Sequence, residues 1–248
     1  DKFLTFFAVI KALFKLFFLY PDVVFGKGGY ASFPTVFAAR ILRIPVVIHE
    51  SDTIPGRVNR WIAPYADAIA IAFPESAKYF NRPNHTALVG NPIREALKVL
   101  PKDTAHQMLQ LDPNIPTIVI IGGSQGSERI NETIVDILPK LLNQFQVIHQ
   151  CGEKHHVWMK TRTDGILKES SYPDRYRLYS YLPEEILRNA AAVAKLIIAR
   201  SGSSIFEFAL WGIPSILIPL PIAREDHQKE NAYNYARTGA CVVVEEAN

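Results

Sequence analysis

The sequence predicts an α/β protein built from two Rossmann-like domains. Short runs rich in Val and Ile alternate with longer stretches of helical period, and the runs are apolar throughout, as in buried parallel strands. The 248 residues, 48% of them hydrophobic, are enough to form two cores and exclude a disordered chain. Ligands of such sheets bind beyond the carboxyl ends of the strands, so functional residues are expected there.

The first predicted element is an apolar helix over residues 3–20, interrupted by Lys11 and Lys15. A transmembrane helix is unfavourable, because each lysine costs about 2.5 to 3.5 kcal/mol at the bilayer centre. Two alternatives remain. The helix is buried against a sheet, or it exposes phenylalanines and lysines to an anionic membrane surface.

Ten strands follow, with helices in the gaps, and most are expected to be central strands covered on both faces. A polar, proline-containing passage at 91–116 opens with a short predicted helix at 93–100 and separates the fourth strand from the fifth. We therefore predict two domains, 1–102 and 103–248. The predicted strands are 22–26, 45–50, 68–73, 86–90, 117–122, 146–151, 176–180, 196–200, 215–219 and 241–245.

Charge is uneven along the chain. The net charge of +3 is too small to indicate a nucleic-acid partner, but residues 1–100 hold 12 basic and 7 acidic side chains, whereas residues 101–248 hold 15 and 17. Cys151 and Cys241 are interpreted as small buried hydrophobic residues. Because no CxxC pair, Cys/His cluster or DxD triplet occurs, no bound metal is expected. No cofactor is expected either.

Two glycine- and serine-rich turns follow buried strands in the second half. GGSQG at 122–126 leads into a helix from Glu128, where backbone N–H groups and the helix dipole favour a phosphate, although a tight connection also needs glycine. RSGSS at 200–204 has the same placement. Glu207 follows, where it could bind both ribose hydroxyls or simply complement the dipole. Gln228 could reach a sugar or mark an exposed helix start.

In the first half, polar motifs also follow strands. GKGGYAS at 26–32 comes after the first strand, and HESD at 49–52 ends the second. His49 and Glu50 suggest acid/base chemistry, although a buried structural histidine is an equal alternative. Arg94, in VGNPIR at 89–94, could bind a diphosphate or lie free on the surface.

Seven motifs stand in order along the chain: GKGGYAS, PVVIHESD, VGNPIR, TIVIIGGSQG, YLPEE, ARSGSSIFEFALWGIPSILIPLP and DHQKENA. Together they resemble the MurG family, the N-acetylglucosaminyltransferases of peptidoglycan synthesis. The resemblance implies a GT-B fold, in which two Rossmann-like domains with parallel sheets face a cleft. It also implies that residues 1–102 bind the acceptor at the membrane side and that residues 103–248 bind the UDP-sugar.

The resemblance further implies roles for individual residues. Asp52 stands where the family usually has an Asn that contacts N-acetylglucosamine, which puts that sugar contact in question. The implied acceptor-side residues are Gly28, Gly29, Tyr30, His49 and Glu50. The implied donor-site residues are Arg94, Ser124 and Gln125 at the diphosphate, Leu182 with its backbone at the uracil, Ser203, Ser204, Ile205 and Phe206 along the nucleotide, Glu207 at the ribose and Gln228 at the sugar.

The implied reaction is inverting transfer of N-acetylglucosamine from UDP-N-acetylglucosamine to the 4-hydroxyl of muramoyl-pentapeptide undecaprenyl diphosphate. It would serve cell-wall synthesis, cell shape and division. The expected location is the cytoplasmic face of the bacterial plasma membrane, as a peripheral protein on its anionic surface. The family's proposed catalytic His lies in a glycine-rich loop that would precede Asp1, so the chain is expected to be a truncated member, shortened at both ends, and its catalytic residue is unknown. Alternatives are another GT-B glycolipid transferase, a UDP-N-acetylglucosamine 2-epimerase, or a nucleotide-sugar-binding module without turnover.

Overall fold

The computed structural model describes residues 2–97, 102–221 and 226–246. Within these ranges the chain forms two compact units, residues 2–92 with 226–230, and residues 93–97 and 102–221 with 231–246. The division falls after Pro92, whereas the sequence placed it near residue 103. The reason is that Leu97 is buried in the second unit and its carbonyl accepts a hydrogen bond from Trp211 Nε1 at 3.0 Å.

The first unit contains a four-stranded parallel sheet. Its strands lie in chain order, with Val24 paired to Val46 and Ile69 to Thr86. Each crossover therefore moves in the same direction across the sheet. The elements are α1 (Lys2–Leu19), β1 (Val24–Gly26), α2 (Phe33–Ile41), β2 (Val46–Glu50), α3 (Arg57–Ile62), β3 (Ala68–Ile71) and β4 (Thr86–Leu88), with 3₁₀ turns at Tyr30–Ser32, Ala63–Tyr65, Pro74–Tyr79 and Pro83–His85.

Helix α1 packs on the unit through one narrow face. Leu16 is buried, and Ala12 and Leu13 pack beside it against the core. The phenylalanines face outward, with Phe3 77% and Phe18 81% exposed. The predicted helix is confirmed, but full burial against the sheet is not what the structure shows. Across the described residues, no helix combines the length and hydropathy needed to span a bilayer.

The second unit contains a six-stranded parallel sheet in the order β10-β9-β8-β5-β6-β7. This order is that of a doubly wound Rossmann fold, because the chain builds one half outward from β5 and the other outward from β8. The elements are α4 (Lys102–Leu109), β5 (Thr117–Ile121), α5 (Glu128–Leu142), β6 (Gln146–Gln150), α6 (His156–Glu169), β7 (Tyr176–Tyr179), α7 (Glu184–Val193), β8 (Ala194–Ala199), α8 (Ile205–Trp211), β9 (Ser215–Leu217), α9 (His227–Ala236) and β10 (Cys241–Val243), with 3₁₀ turns at Glu95–Leu97, Glu153–His155 and Pro173–Arg175. The first turn of α9, up to Glu230, clusters with the first unit.

All ten predicted strands are confirmed, and most are slightly shorter than predicted. Strand β8 begins earlier than predicted, at Ala194, because it continues without a loop from α7. The helix predicted at 93–100 is wrong in its described part, which contains only the 3₁₀ turn Glu95–Leu97; residues 98–100 lie outside the described residues. The α/β class with two parallel sheets is confirmed.

A buried polar network links the interior of the second unit. Asn131 Nδ2 donates to the Cys151 carbonyl at 2.9 Å, so its Oδ1 accepts from His149 Nε2 at 3.0 Å. His149 Nδ1 then accepts from the Tyr176 hydroxyl at 2.9 Å. Burial lowers the pKa of His149 to about 3, so the imidazole is neutral in the folded protein.

This network predicts a pH-dependent stability. The folded His149 has a pKa of about 3 against an ordinary 6.5, so the unfolded chain binds the extra proton. The free energy of unfolding is therefore expected to fall as the pH drops from about 6.5 towards 3. Urea denaturation between pH 7 and pH 4 should show a flatter dependence on pH in His149→Gln than in wild type. Equal slopes in wild type and His149→Gln would contradict the assignment.

Candidate functional site

The second unit has a topological switch point between β5 and β8. These strands are neighbours, but the chain leaves β5 towards β6 and leaves β8 towards β9, on the opposite side of the sheet. The loops at 122–127 and 200–204 therefore diverge from one crevice at the carboxyl edge. Ligands of open α/β sheets bind in such crevices.

The loop at 122–127 is shaped for an anion. Gly123 and Gly126 have φ angles of +92° and +73°, which glycine adopts without strain. Ser127 begins helix α5 and accepts a hydrogen bond from the Ile130 N–H at 3.4 Å. Ser124 and Gln125 are exposed. Backbone N–H groups at the start of this 15-residue helix can thus meet a phosphate.

Arg200, which sequence analysis noticed only as part of a motif, holds the two diverging loops together. Its guanidinium donates to Ser127 Oγ at 2.6 Å and to the carbonyls of Ile218 and Pro219 at 3.0 and 3.2 Å. It also pairs with Glu246. Arg200 is consequently occupied within the protein and supports the start of α5.

Arg94 and Glu207 interact electrostatically. Burial raises the pKa of Glu207, and the charge of Arg94 opposes that shift. Arg94 Nη1 also lies 2.6 Å from Glu184 Oε2. Glu184 was not among the predicted site residues, although it is the first residue of α7 and the fourth residue of the YLPEE motif. A diphosphate at Arg94 would have to compete with this carboxylate.

The other predicted donor-site residues differ in accessibility. Ser203 is exposed, and Ser204 and Phe206 are partly exposed. The Ile205 side chain is buried, so only its backbone can face a ligand. The Leu182 side chain is buried too, and its N–H donates to Gln150 Oε1 at 2.9 Å. Gln228 lies in α9, in the segment that clusters with the first unit.

In the first unit, Glu50 organises the loop that follows β2. Its carboxylate accepts hydrogen bonds from Asp52 N at 3.0 Å, Gly56 N at 3.1 Å and Asn59 Nδ2 at 2.9 Å. Burial raises the pKa of Glu50, and the Asn59 hydrogen bond opposes the rise. His49 is buried with its Nε2 donating to the Gly90 carbonyl at 2.8 Å. These contacts fit the structural alternative for His49.

The GKGGY loop rests on Asn59, a residue that sequence analysis missed. Gly28 and Gly29 have φ angles of +79° and +76°, and a Cβ on Gly28 would lie 2.8 Å from Asn59 Nδ2. Tyr30 is exposed, and its hydroxyl pairs with that of Thr5. The Gly28 turn, Asn59 and Glu50 thus form one connected cluster. Within the described ranges, no group of three or more His, Cys, Asp or Glu side chains could hold a metal.

Comparison with protein families decides the affiliation. Residues 117–248 match the glycosyltransferase family 28 C-terminal domain, and residues 2–71 match the glycosyltransferase family 28 N-terminal domain. The chain belongs to glycosyltransferase family 28. The predicted resemblance to the MurG branch of this family is confirmed by its curated relatives.

Two family 28 relatives illustrate the similarity. The chain is 40% identical to a Clostridium perfringens protein over 228 residues, which are 91% of this chain and 60% of the relative. It is 34% identical to a Natranaerobius thermophilus protein over 229 residues, 91% and 62% of the two chains. Both are named UDP-N-acetylglucosamine--N-acetylmuramyl-(pentapeptide) pyrophosphoryl-undecaprenol N-acetylglucosamine transferase. The chain spans about 60% of the length of these relatives.

Solved structures confirm the GT-B class. Acinetobacter baumannii MurG matches the whole chain with a TM-score of 0.73 and 28% identity, and 68% of its own length is covered. A UDP-GlcNAc 2-epimerase from Neisseria meningitidis, solved with UDP-GlcNAc bound, matches 98% of this chain with a TM-score of 0.69 and 69% of its own length. At 14% identity, the second match shows a shared fold alone.

Proposed function

We propose that the second unit of this family 28 chain binds UDP-N-acetylglucosamine and contributes the donor site of an inverting N-acetylglucosaminyltransferase. The observation that carries the proposal is the glycine-rich loop at 122–127, which enters a long helix at the switch point of a Rossmann sheet. Such a position suits a nucleotide diphosphate. The names of the curated relatives supply the donor and the reaction.

Within this proposal, each donor-site residue has one task. The loop N–H groups, Ser124 and Gln125 bind the diphosphate together with Arg94. Glu207 accepts hydrogen bonds from the ribose hydroxyls, and the segment containing Leu182 contacts the uracil. Ser203, Ser204, the Ile205 backbone and Phe206 line the nucleotide, and Gln228 contacts the sugar.

The chemistry follows from where charge develops. In the transfer, the acceptor 4-hydroxyl attacks the anomeric carbon while UDP departs with added negative charge on its diphosphate. Donors that are already in place at the loop, and the guanidinium of Arg94, stabilise that charge more in the transition state than in the bound substrate. They accelerate departure of UDP without reorganising.

The proposed acceptor is a polyprenyl-diphosphate-linked muramoyl peptide, bound by the first unit. Its supporting observation is the cluster of Gly28, Asn59 and Glu50, which fixes the GKGGY loop at the carboxyl end of β1. Gly29 and the exposed Tyr30 continue that loop. Asp52, held through its N–H by Glu50, is the proposed point of contact with N-acetylglucosamine.

Binding and turnover are tested separately. Calorimetry with UDP should show saturable binding, whereas absence of binding would reject the donor site. Radiolabelled UDP-N-acetylglucosamine with the lipid acceptor then distinguishes transfer from the alternatives. Labelled glycolipid supports the transferase, N-acetylmannosamine products indicate an epimerase, and UDP binding without any product indicates a binding module.

The proposed location is the cytoplasmic face of the bacterial plasma membrane, where the chain would lie as a peripheral protein. The exposed phenylalanines of α1 and the neighbouring exposed Lys11 and Lys15 support it. Aromatic rings insert into the headgroup region, and lysines attract anionic lipids. A role in cell-wall synthesis, and through it in cell shape and division, is part of the same proposal.

Liposome sedimentation tests this surface. Each lysine near an anionic membrane contributes about 1 kcal/mol, so Lys11→Gln with Lys15→Gln should weaken binding to phosphatidylglycerol vesicles roughly thirtyfold at low salt. The matched control replaces Lys160 and Lys168, two exposed lysines of α6, and should leave binding unchanged. If the wild-type protein bound neutral and anionic vesicles equally, and equally at low and high salt, the electrostatic part of the proposal would be wrong.

A further inference from the structure

Gln150 occupies a special place in the second unit. It is the last residue of β6, a strand flanked by β5 on one side and β7 on the other. Its side chain is only 5% exposed, although it carries an uncharged amide that must find partners when buried. Those partners lie on two different loops.

The two ends of the amide make different bonds. Gln150 Nε2 donates to the carbonyl of Gly123 at 3.0 Å, in the loop that follows β5. Gln150 Oε1 accepts from the N–H of Leu182 at 2.9 Å, in the loop between β7 and α7. The strand pairing of the three strands ends at Ile121, Gln150 and Tyr179. The side chain therefore extends the connection beyond the sheet, between loops that the strand ladder does not join.

An amide is the group that this place requires. A side-chain amide carries an NH2 group that donates and, next to it, an oxygen that accepts. A carboxylate only accepts, and an apolar side chain does neither. Burial makes each bond costly to lose, because an unpaired buried polar group forfeits its hydration. The amide of Gln150 can therefore satisfy the Gly123 carbonyl and the Leu182 N–H together.

We infer that Gln150 is a positioning residue that couples the diphosphate-binding loop to the base-binding loop of the nucleotide site. The inference rests on the proposed function, since the ligand of the Gly123 and Leu182 loops is the proposed UDP moiety. Gln150 touches neither part of the ligand in this assignment. It sets the position of Gly123 relative to Leu182, so that one UDP molecule reaches both.

The same hydrogen bond determines which backbone groups of Leu182 remain available to a base. Its N–H is occupied by Gln150, so the contribution of that residue to a base comes through its carbonyl and its neighbours. A substitution at position 150 that frees this N–H disturbs the base-binding loop. One that removes only the donor to Gly123 disturbs the phosphate-binding loop alone.

Two variants separate these effects. Gln150→Met removes both bonds while keeping similar length, and UDP affinity should fall roughly tenfold or more. Gln150→Glu keeps the acceptor for Leu182 but loses the donor to Gly123 and adds negative charge near the diphosphate. UDP affinity should then fall roughly tenfold or more, while uridine affinity, followed by NMR titration, stays within about threefold of wild type. A structural role alone would move both ligands equally.

The same strand supplies a matched control. Gln146, at the opposite end of β6, is also buried, and its amide bonds the carbonyls of Asp112 and Ile115 and the N–H of Asp112. Gln146→Met should lower the melting temperature but leave UDP affinity within about twofold, because it holds the other edge of the sheet.

The outcomes distinguish two failures. If wild type binds no UDP, the proposed function is wrong. If wild type binds UDP but Gln150→Met binds it as tightly, or Gln146→Met loses as much affinity, the coupling role of Gln150 is overturned. Should Gln150→Met fail to fold, the ratio of UDP to uridine affinity in Gln150→Glu decides: a ratio equal to that of wild type rejects the inference.

Discussion

Gly126→Ala is expected to remove measurable UDP binding, a loss of roughly a hundredfold or more. A Cβ on Gly126 would overlap the Cys151 carbonyl oxygen and lie 2.7 Å from the carbonyl carbon. Both are backbone atoms of the residue that directly follows β6, and the backbone there cannot move aside cheaply. The residue also has a φ of +73°, which alanine adopts only with strain. The loop must therefore leave its position, and its N–H groups go with it.

Gly123→Ala is the control for Gly126→Ala. Gly123 also has a positive φ, but a Cβ there would meet nothing within 4 Å. It therefore shares the backbone strain without the overlap, and its loss of UDP affinity should be clearly smaller. Calorimetry and thermal melts of both variants check this. Near-normal UDP binding by Gly126→Ala, or a larger loss in Gly123→Ala, would contradict the role of the close packing at Cys151.

Arg94→Ala should lower UDP affinity by roughly ten- to a hundredfold, because charge-assisted hydrogen bonds contribute about 1.5 to 3 kcal/mol. Uridine, which has no phosphate, should lose much less affinity for Arg94→Ala than UDP does, since only the influence of Arg94 on Glu207 at the ribose remains. Glu184→Gln should have the opposite effect on UDP, since it removes the carboxylate that competes for the guanidinium. Both effects should shrink at high salt, because the Arg94 side chain is 55% exposed.

Arg162 provides the matched control for Arg94. Its side chain is 54% exposed and pairs with Asp136, so it resembles Arg94 in exposure and in having an acidic partner. Arg162→Ala should leave UDP affinity unchanged in the same calorimetric titration. If both arginine variants lost UDP affinity equally, the effect of Arg94 would come from the overall charge of the protein and not from contact with the diphosphate.

The strands and the glycine-rich loop at 122–127 were predictable because their signals are local. A buried parallel strand needs a continuous apolar run, and each of the ten runs became a strand. A glycine-rich turn between such a run and Glu128 needs no distant residue to be interpreted. The order of the strands then follows from the doubly wound topology, which places these turns at one edge.

Residues whose roles arise from distant contacts were missed. Gln150 gains its role from Gly123 and Leu182, which lie 27 and 32 positions away in sequence. Asn59 matters because Gly28 packs against it, and the sequence contains no local sign of that contact. Glu184 lies in the YLPEE motif, but its pairing with Arg94 is visible only in the tertiary structure. Such side chains look like ordinary polar residues until the tertiary structure pairs them.

For helix α1, the sequence predicted the helix but not which of its faces is buried. Its sequence is apolar around most of its circumference, so periodicity did not distinguish burial from exposure. In the structure α1 packs against α2, and Leu16 is buried in the core whereas Phe3 and Phe18 are exposed. The domain junction likewise depended on a tertiary bond, from Trp211 to the carbonyl of Leu97.

A crystal structure of the chain with UDP would show directly whether the nucleotide binds at the switch point of the second unit. We expect the diphosphate against the N–H groups of residues 123–125, the ribose hydroxyls on Glu207 and the base beside the Leu182 segment. The Gln150 amide should keep its bonds to Gly123 and Leu182 beneath the ligand. A nucleotide bound away from the carboxyl edge of β5 and β8, with no contact to the loop at 122–127, would contradict the proposed donor site.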